Sequence, residues 1–317
     1  MIKVCKTNSN SQLEDLELTQ ANEHSWINLI KPTEEELKTV SEFTGCPSDF
    51  LAAALDENEH SRIELEDDFM MIIINVPFIV SKNKFDTIPI GVIFSKTFFI
   101  TICLQENKIL EYFGVENCKK FSTVKRANFL FTLFLKNAEY FLRYMRYINR
   151  ITDELELSLR KSMKNKSLFQ LFELERSLVY FITALKDNTV VTEKLLRLRK
   201  NRNIQELLTL DEDDEELLED SIIENRQAIE MVEMHSNILS GMMDAFASII
   251  SNNLNIVMKF LTSITIILAI PTMIASFWGM NVDVPFKDHP GGFIYVVALA
   301  FVVSFLSFWG LWKKNLF

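Results

Sequence analysis

Two stretches dominate the polarity pattern. Phe260–Trp278 and Phe293–Trp312 contain no charged side chain, and each is long enough to cross the ~30 Å hydrocarbon core of a bilayer as a helix. Upstream, Val115 to Ser240 holds neither glycine nor proline. With abundant Leu, Glu, Lys and Arg, that absence predicts long helices. From Ile222 the apolar side chains recur near heptad spacing: Ile222, Ile229, Val232, Leu239, Met243, Phe246, Ile250 and Val257. The pattern runs without a proline into the first apolar stretch. A helix from about Asp220 to Trp278 would be roughly 85–90 Å long. Its stripe asks for neighbouring copies, so a symmetric bundle of identical stalks follows.

Before residue 120 the runs are short. Phe69–Val80 and Ile88–Leu104 are rich in β-branched and aromatic residues, the second interrupted at Ser95–Lys96 as a hairpin would be. Thr33–Thr44 and Pro47–Leu55 read as short helices that begin at cap-like residues. The fold class is therefore an α/β cytosolic domain, a long α-helical stalk and two transmembrane helices. The expected divisions are 1–120 (α/β domain), 121–219 (long-helix region), 220–278 (stalk and first span), 279–292 (outer loop), 293–312 (second span) and 313–317 (basic tail). An aromatic stripe in the long-helix region, Phe131, Phe134, Phe141, Tyr144 and Tyr147, reads as helix packing.

Composition narrows the function. The 317 residues are 48% hydrophobic and 24% charged, which excludes collagen, a disordered tail, a small disulfide scaffold and a purely soluble enzyme. A net charge of −10 speaks against nucleic acid as partner. Cys5, Cys46, Cys103 and Cys118 lack CxxC spacing and read as reduced cytosolic thiols. His24, His60, His235 and His289 form no zinc-type pair. There is no nucleophile–base pair and no glycine-rich phosphate loop, so no enzyme and no catalytic cofactor is expected. Met1–Gln12 lacks the apolar core of a signal peptide. The sequence thus predicts a multi-pass protein of the cell membrane with both termini cytoplasmic. Lys259 and Lys313–Lys314 agree with that orientation, against a lone Lys287 in the loop.

The first apolar stretch ends Phe277-Trp278-Gly279-Met280-Asn281. Before it stand Asn255-x-x-Met258-Lys259-x-Leu261-Thr262 and Pro271-Thr272-x-Ile274-Ala275. A Gly-Met-Asn tripeptide at the outer end of the first of two C-terminal spans, after a long stalk, resembles the signature of the CorA family of divalent-cation transporters. Leu55-Asp56-Glu57, Arg62-x-Glu64 and Asp67–Asp68 also fit. The sequence departs from the family at Trp278, where Tyr or Phe is commoner, and in the loop Val282–Gly292, which carries Lys287 and His289 rather than more acid.

The resemblance implies a homopentamer in the lipid bilayer, with the first spans lining a pore and the second spans around them. It implies Mg²⁺ as cargo and as regulator. Asn281 would ring the pore mouth, with Gly279 permitting a tight turn and close backbone approach and Met280 packing. Thr272 and Asn255 would add hydroxyl and amide rings deeper in, and Met258 and Leu261 apolar gate rings. Asp220 sits where a family regulatory carboxylate at the head of the stalk would be. Moving a dication through 100 mV yields about 4.6 kcal/mol, so no ATP is required. Residue by residue, blander roles stand beside these: Asn255 as a polar helix-surface residue, Thr272 bonded back to its own helix, Asn281 as a polar cap, and Asp211–Asp220 as a solvated run. Rival functions are Zn²⁺, Co²⁺ or Ni²⁺ transport within the family, disfavoured by the lack of Cys or His in either span, and a non-conducting two-span coiled-coil scaffold or sensor.

Overall fold

The computed structural model describes residues 1–8, 12–66, 68–114, 121–162, 165–198, 201–286 and 289–314. Asp67, Cys118 and Lys287 lie outside the described residues. The chain divides into two compact units, Met1–Gly241 and Met242–Phe317.

The first unit is built on a seven-stranded sheet in the order β2-β1-β3-β7-β6-β5-β4. The strands are β1 (Ile2–Thr7), β2 (Leu13–Leu16), β3 (Trp26–Ile30), β4 (Arg62–Glu66), β5 (Phe69–Ser81), β6 (Lys84–Phe94) and β7 (Phe99–Cys103). Among the described residues only β3 and β7 pair in parallel; the other pairs are antiparallel. The near-continuous apolar runs have a simple cause: both faces of the sheet are covered. On β5, Met70, Ile72, Ile74 and Val76 face one core, while Met71 and Ile73 face the other. The second core is completed by Val40 of α1 (Glu34–Thr44) and by Phe50 and Leu51 of α2 (Ser48–Ala53). A Cβ on Gly91 would stand 2.6 Å from that of Ala54, so the sheet admits α2 only because β6 carries a glycine there.

The first core is larger and is closed by α3 (Lys108–Tyr112), α4 (Arg126–Lys161), α5 (Asn165–Leu198), α6 (Arg202–Leu207) and the start of α7 (Glu212–Trp278). Its centre is aromatic. Phe129 of α4 lies 4.3 Å from Phe113, 4.8 Å from Phe99 and 5.3 Å from Trp26, ring centre to ring centre. Arg126 ties the β6–β7 turn to α4 by donating to the Ser95 and Lys96 carbonyls, and burial lowers its pKa. The hairpin expected around Ser95–Lys96 and the helices expected from Thr33 and Pro47 are present.

Two expectations need correction. The long helix begins at Glu212, not near Asp220. Its heptad stripe is also partly covered by its own chain. Of the stripe, Val232, Leu239 and Phe246 are buried, as are the nearby Leu218, Ser221, Asn225 and Ala228, and Asn225 Nδ2 donates to Leu185 O at 3.0 Å and Thr189 Oγ1 at 2.8 Å on α5. Ile250 and Val257 of the stripe remain exposed.

The second unit carries the end of α7 and α8 (Gly292–Lys313). Both helices are long and apolar enough to cross a membrane. Lys313 lies in the last turn of α8, where a cation complements the helix dipole.

Candidate ion pathway

Every residue of α7 from Ala247 to Thr262 is exposed, all the way around the helix. Asn255, Met258 and Leu261 lie inside that segment, with Met258 at 51% and Leu261 at 56% exposure. Thr272 is also exposed, one residue after Pro271, which sits inside the helix without ending it. Its Oγ1 donates to Leu268 O at 3.2 Å. The back-bonded reading of Thr272 therefore holds for its proton, while its oxygen lone pairs stay open as acceptors. Thr265 does the same to Leu261 at 2.8 Å.

At the end of α7, Gly279 N–H donates to Ala275 O at 3.0 Å and Met280 N–H to Phe277 O at 3.3 Å. Gly279 is not left-handed, and a Cβ there would meet Ala275 O at 3.4 Å, an ordinary contact. The chain does turn at Gly279, directly after α7 ends, without the left-handed backbone that would require glycine. Asn281 is exposed. Neither its amide nor that of Asn255 hydrogen-bonds another described residue, so Asn281 does not cap α7.

The loop after Asn281 is fastened by contacts the sequence reading missed. Trp278 Nε1 donates to Pro285 O at 2.9 Å. Phe has no donor to make this bond, so the departure at Trp278 has a use that Phe would not serve. Phe286 has φ 66°, and a Cβ on Gly292 would stand 2.2 Å from Phe286 O; glycine is required there by close approach. Tyr295 closes the loop with ring centres 5.7 Å from Phe286 and 5.5 Å from His289. His289 Nδ1 accepts from Gly291 N–H at 3.2 Å. The signal for this clasp was the Pro285 and Gly291–Gly292 punctuation.

Asp220 is exposed on α7. The acidic run before it is not uniformly solvated. Asp211 Oδ1 accepts from Asp214 N–H at 2.9 Å and Asp214 Oδ2 from Asp211 N–H at 3.3 Å, a reciprocal cap that starts the helix. Asp214 is buried at 3% exposure, and desolvation raises its pKa. The pKa of Asp211 is lowered, first by the Asp214 N–H bond and then by Lys125 at 3.1 Å. No group of three or more metal-ligating side chains is gathered among the described residues. Asn255, Met258, Leu261, Thr272 and Asn281 therefore share an exposed helix and its end, and a single chain does not bring them around a common point.

Comparison with known proteins gives this arrangement a context. The family model described as "CorA-like Mg2+ transporter protein" matches residues 21–314. The cobalt/magnesium transport protein CorA of Methanocaldococcus jannaschii is 29% identical over 283 residues, covering 88% of this chain and 86% of that one. That of Thermotoga maritima is 23% identical over 291 residues, covering 88% and 80%. In structure, the M. jannaschii CorA magnesium transporter superposes with a TM-score of 0.82 at 24% identity, over 98% of this chain and 96% of the other. The two share one fold, an N-terminal α/β unit followed by two helices long and apolar enough to cross a membrane. The chain belongs to the family of CorA-like Mg²⁺ transporters.

Proposed function

We propose that this protein conducts hydrated Mg²⁺ along the axis of a homopentamer, driven by an inside-negative membrane potential. Mg²⁺ dehydrates reluctantly and keeps an octahedral water shell. Neutral amide oxygens accept hydrogen bonds from those polarised waters and attract the dication without trapping it, as conduction requires. Five Asn281 side chains would present such oxygens at the pore mouth. Gly279 and Met280 would allow the chains to pack there, with Thr272 and Asn255 as deeper polar rings and Met258 and Leu261 as apolar rings that gate by dewetting. The observation that carries this reading is the unpaired amides on a helix exposed all round: a lone apolar helix in that state is stable only against lipid and further copies of itself.

Regulation follows from charge. Exposed Asp220 carboxylates brought near one another by neighbouring copies repel, and cytosolic Mg²⁺ bridging them would favour a symmetric closed state. Both termini lie in the cytosol in this reading. The named relatives are cobalt/magnesium transport proteins, which makes Co²⁺ the second cargo to test; its hydrate presents similar water donors.

The test is uptake into proteoliposomes under an imposed inside-negative potential. Wild type takes up Mg²⁺, and Asn281→Ala reduces the rate by ~100-fold, about 2.7 kcal/mol of barrier. No cation uptake by wild type leaves only the scaffold reading, uptake indifferent to Asn281→Ala removes the amide ring as the filter, and uptake that follows a proton gradient instead of the potential removes the driving force proposed here. Asp220→Ala should conduct at cytosolic Mg²⁺ levels that close the wild type.

A further inference from the structure

Between Glu139 and Asp153 the sequence holds three arginines and no carboxylate, in a chain with a net charge of −10. Arg143, Arg146 and Arg150 are spaced three and four apart and share one face of α4. With Tyr144, Tyr147 and Ile79 they line a groove of about 490 Å³. None of the three guanidinium groups pairs with a carboxylate among the described residues. Arg62, Arg160 and Arg197 each do.

The groove arginines rest on rings instead. The Arg143 guanidinium lies 4.7 Å over Tyr140 and that of Arg150 lies 5.1 Å over Tyr147, while Arg146 Nε reaches its own helix at Leu142 O, 3.4 Å away. The groove tyrosines are held from behind. Buried Phe85 stands 6.0 Å from Tyr144 and 5.8 Å from Tyr147. The sequence pattern grouped these tyrosines with Phe131, Phe134 and Phe141 as packing residues. The three phenylalanines are buried core, but the two tyrosines are half-buried and open to the groove.

Three like charges gathered without counter-ions attract a polyanion, and guanidinium forks match phosphate oxygens in geometry. Fixed aromatic rings and an aliphatic wall add a surface for a planar apolar group. The volume is that of a small-molecule site. We propose that this groove binds a nucleoside polyphosphate, the phosphates on Arg143, Arg146 and Arg150 and the base against Tyr144 and Tyr147. A bare phosphate would leave the rings unused, and an acidic peptide has no planar group to place on them.

The probe is ATP, titrated calorimetrically into the full-length chain in lipid nanodiscs, with free Mg²⁺ held constant because ATP chelates it. Tripolyphosphate and adenosine are the comparison ligands. Wild type should bind ATP saturably, tripolyphosphate more weakly and adenosine not at all. Each Arg→Gln change should weaken ATP by about tenfold, Arg146→Lys should restore part of the loss, and Tyr147→Leu should weaken ATP but not tripolyphosphate. All these positions are exposed or half-buried mid-helix, so unchanged circular dichroism certifies the fold. Three results overturn the proposal: no saturable ATP binding by wild type, ATP binding unchanged in the triple Arg→Gln variant, or tripolyphosphate bound as tightly as ATP. If the triple variant changes only the oligomeric state while ATP never binds, the groove holds a neighbouring copy instead.

Discussion

Asparagine serves two opposite purposes in this chain. In the first unit, Asn188 Nδ2 donates to Asn75 O at 2.8 Å, and its Oδ1 accepts from Asn75 N–H at 3.0 Å and from Ser61 Oγ at 2.8 Å. Asn137 adds a bond to Asn75 O at 3.0 Å. Asn225 is bonded to α5 in the same manner. These amides are buried and each donates to a partner, although Asn137 Oδ1 finds none among the described residues, so they fix register in the core. In the second unit Asn255 and Asn281 are exposed, and no described residue partners either amide. Where the chain supplies its own partners, asparagine is structural. Where it does not, the amide stays exposed with no partner among the described residues.

The contrast predicts how each unit answers to mutation. The largest loss of stability should come from the aromatic core: Phe129→Ala should cost about 3–5 kcal/mol, read by thermal or urea unfolding. Asn188→Ala should follow at roughly 2–4 kcal/mol, because it removes the acceptor of the buried Asn75 N–H and of the Ser61 hydroxyl and one of the two donors to Asn75 O. Asn225→Ala should cost about 1–2 kcal/mol. Asn255→Ala should move the unfolding midpoint by less than about 0.5 kcal/mol while still slowing transport. A destabilising Asn255→Ala, or a harmless Asn188→Ala, would erase the distinction between the two sets.

The thiols offer a pH test confined to the first unit. Burial pushes Cys5, Cys46 and Cys103 up to about 12 from an ordinary 9. They should therefore resist alkylation at pH 8 until the unit unfolds. Because the folded pKa is the higher one, the unfolded chain loses these protons first. This contribution to stability is intact below pH 9 and declines as pH rises toward 12.

How much of this was legible depends on whether the governing contact was local. The strands β5, β6 and β7 were readable because burial on both faces leaves long apolar runs. β1 and β2 were not, since both display mixed polarity, with Lys3 and Lys6 on β1 and Glu14 and Asp15 on the edge strand β2. The ends of α4, α5 and α6 fall in a stretch without glycine or proline, so no local breaker marks them. The start of α7 was misread for a related reason. Its signal is the Asp211–Asp214 cap, which looks like part of a solvated acidic run until burial of Asp214 is known. The heptad stripe marked a face that wants a partner but could not tell α5 from a second copy. The tripeptide at Gly279–Asn281 identified the family because it is a local motif, whereas its proposed function needs several chains.

Imaging the full chain in lipid nanodiscs with Mg²⁺ present tests that need most directly. The account predicts five copies about one axis, their Asn281 amides turned inward around a single ion that retains its water shell. A monomer in the bilayer, or an assembly whose Asn281 side chains face lipid, would contradict it.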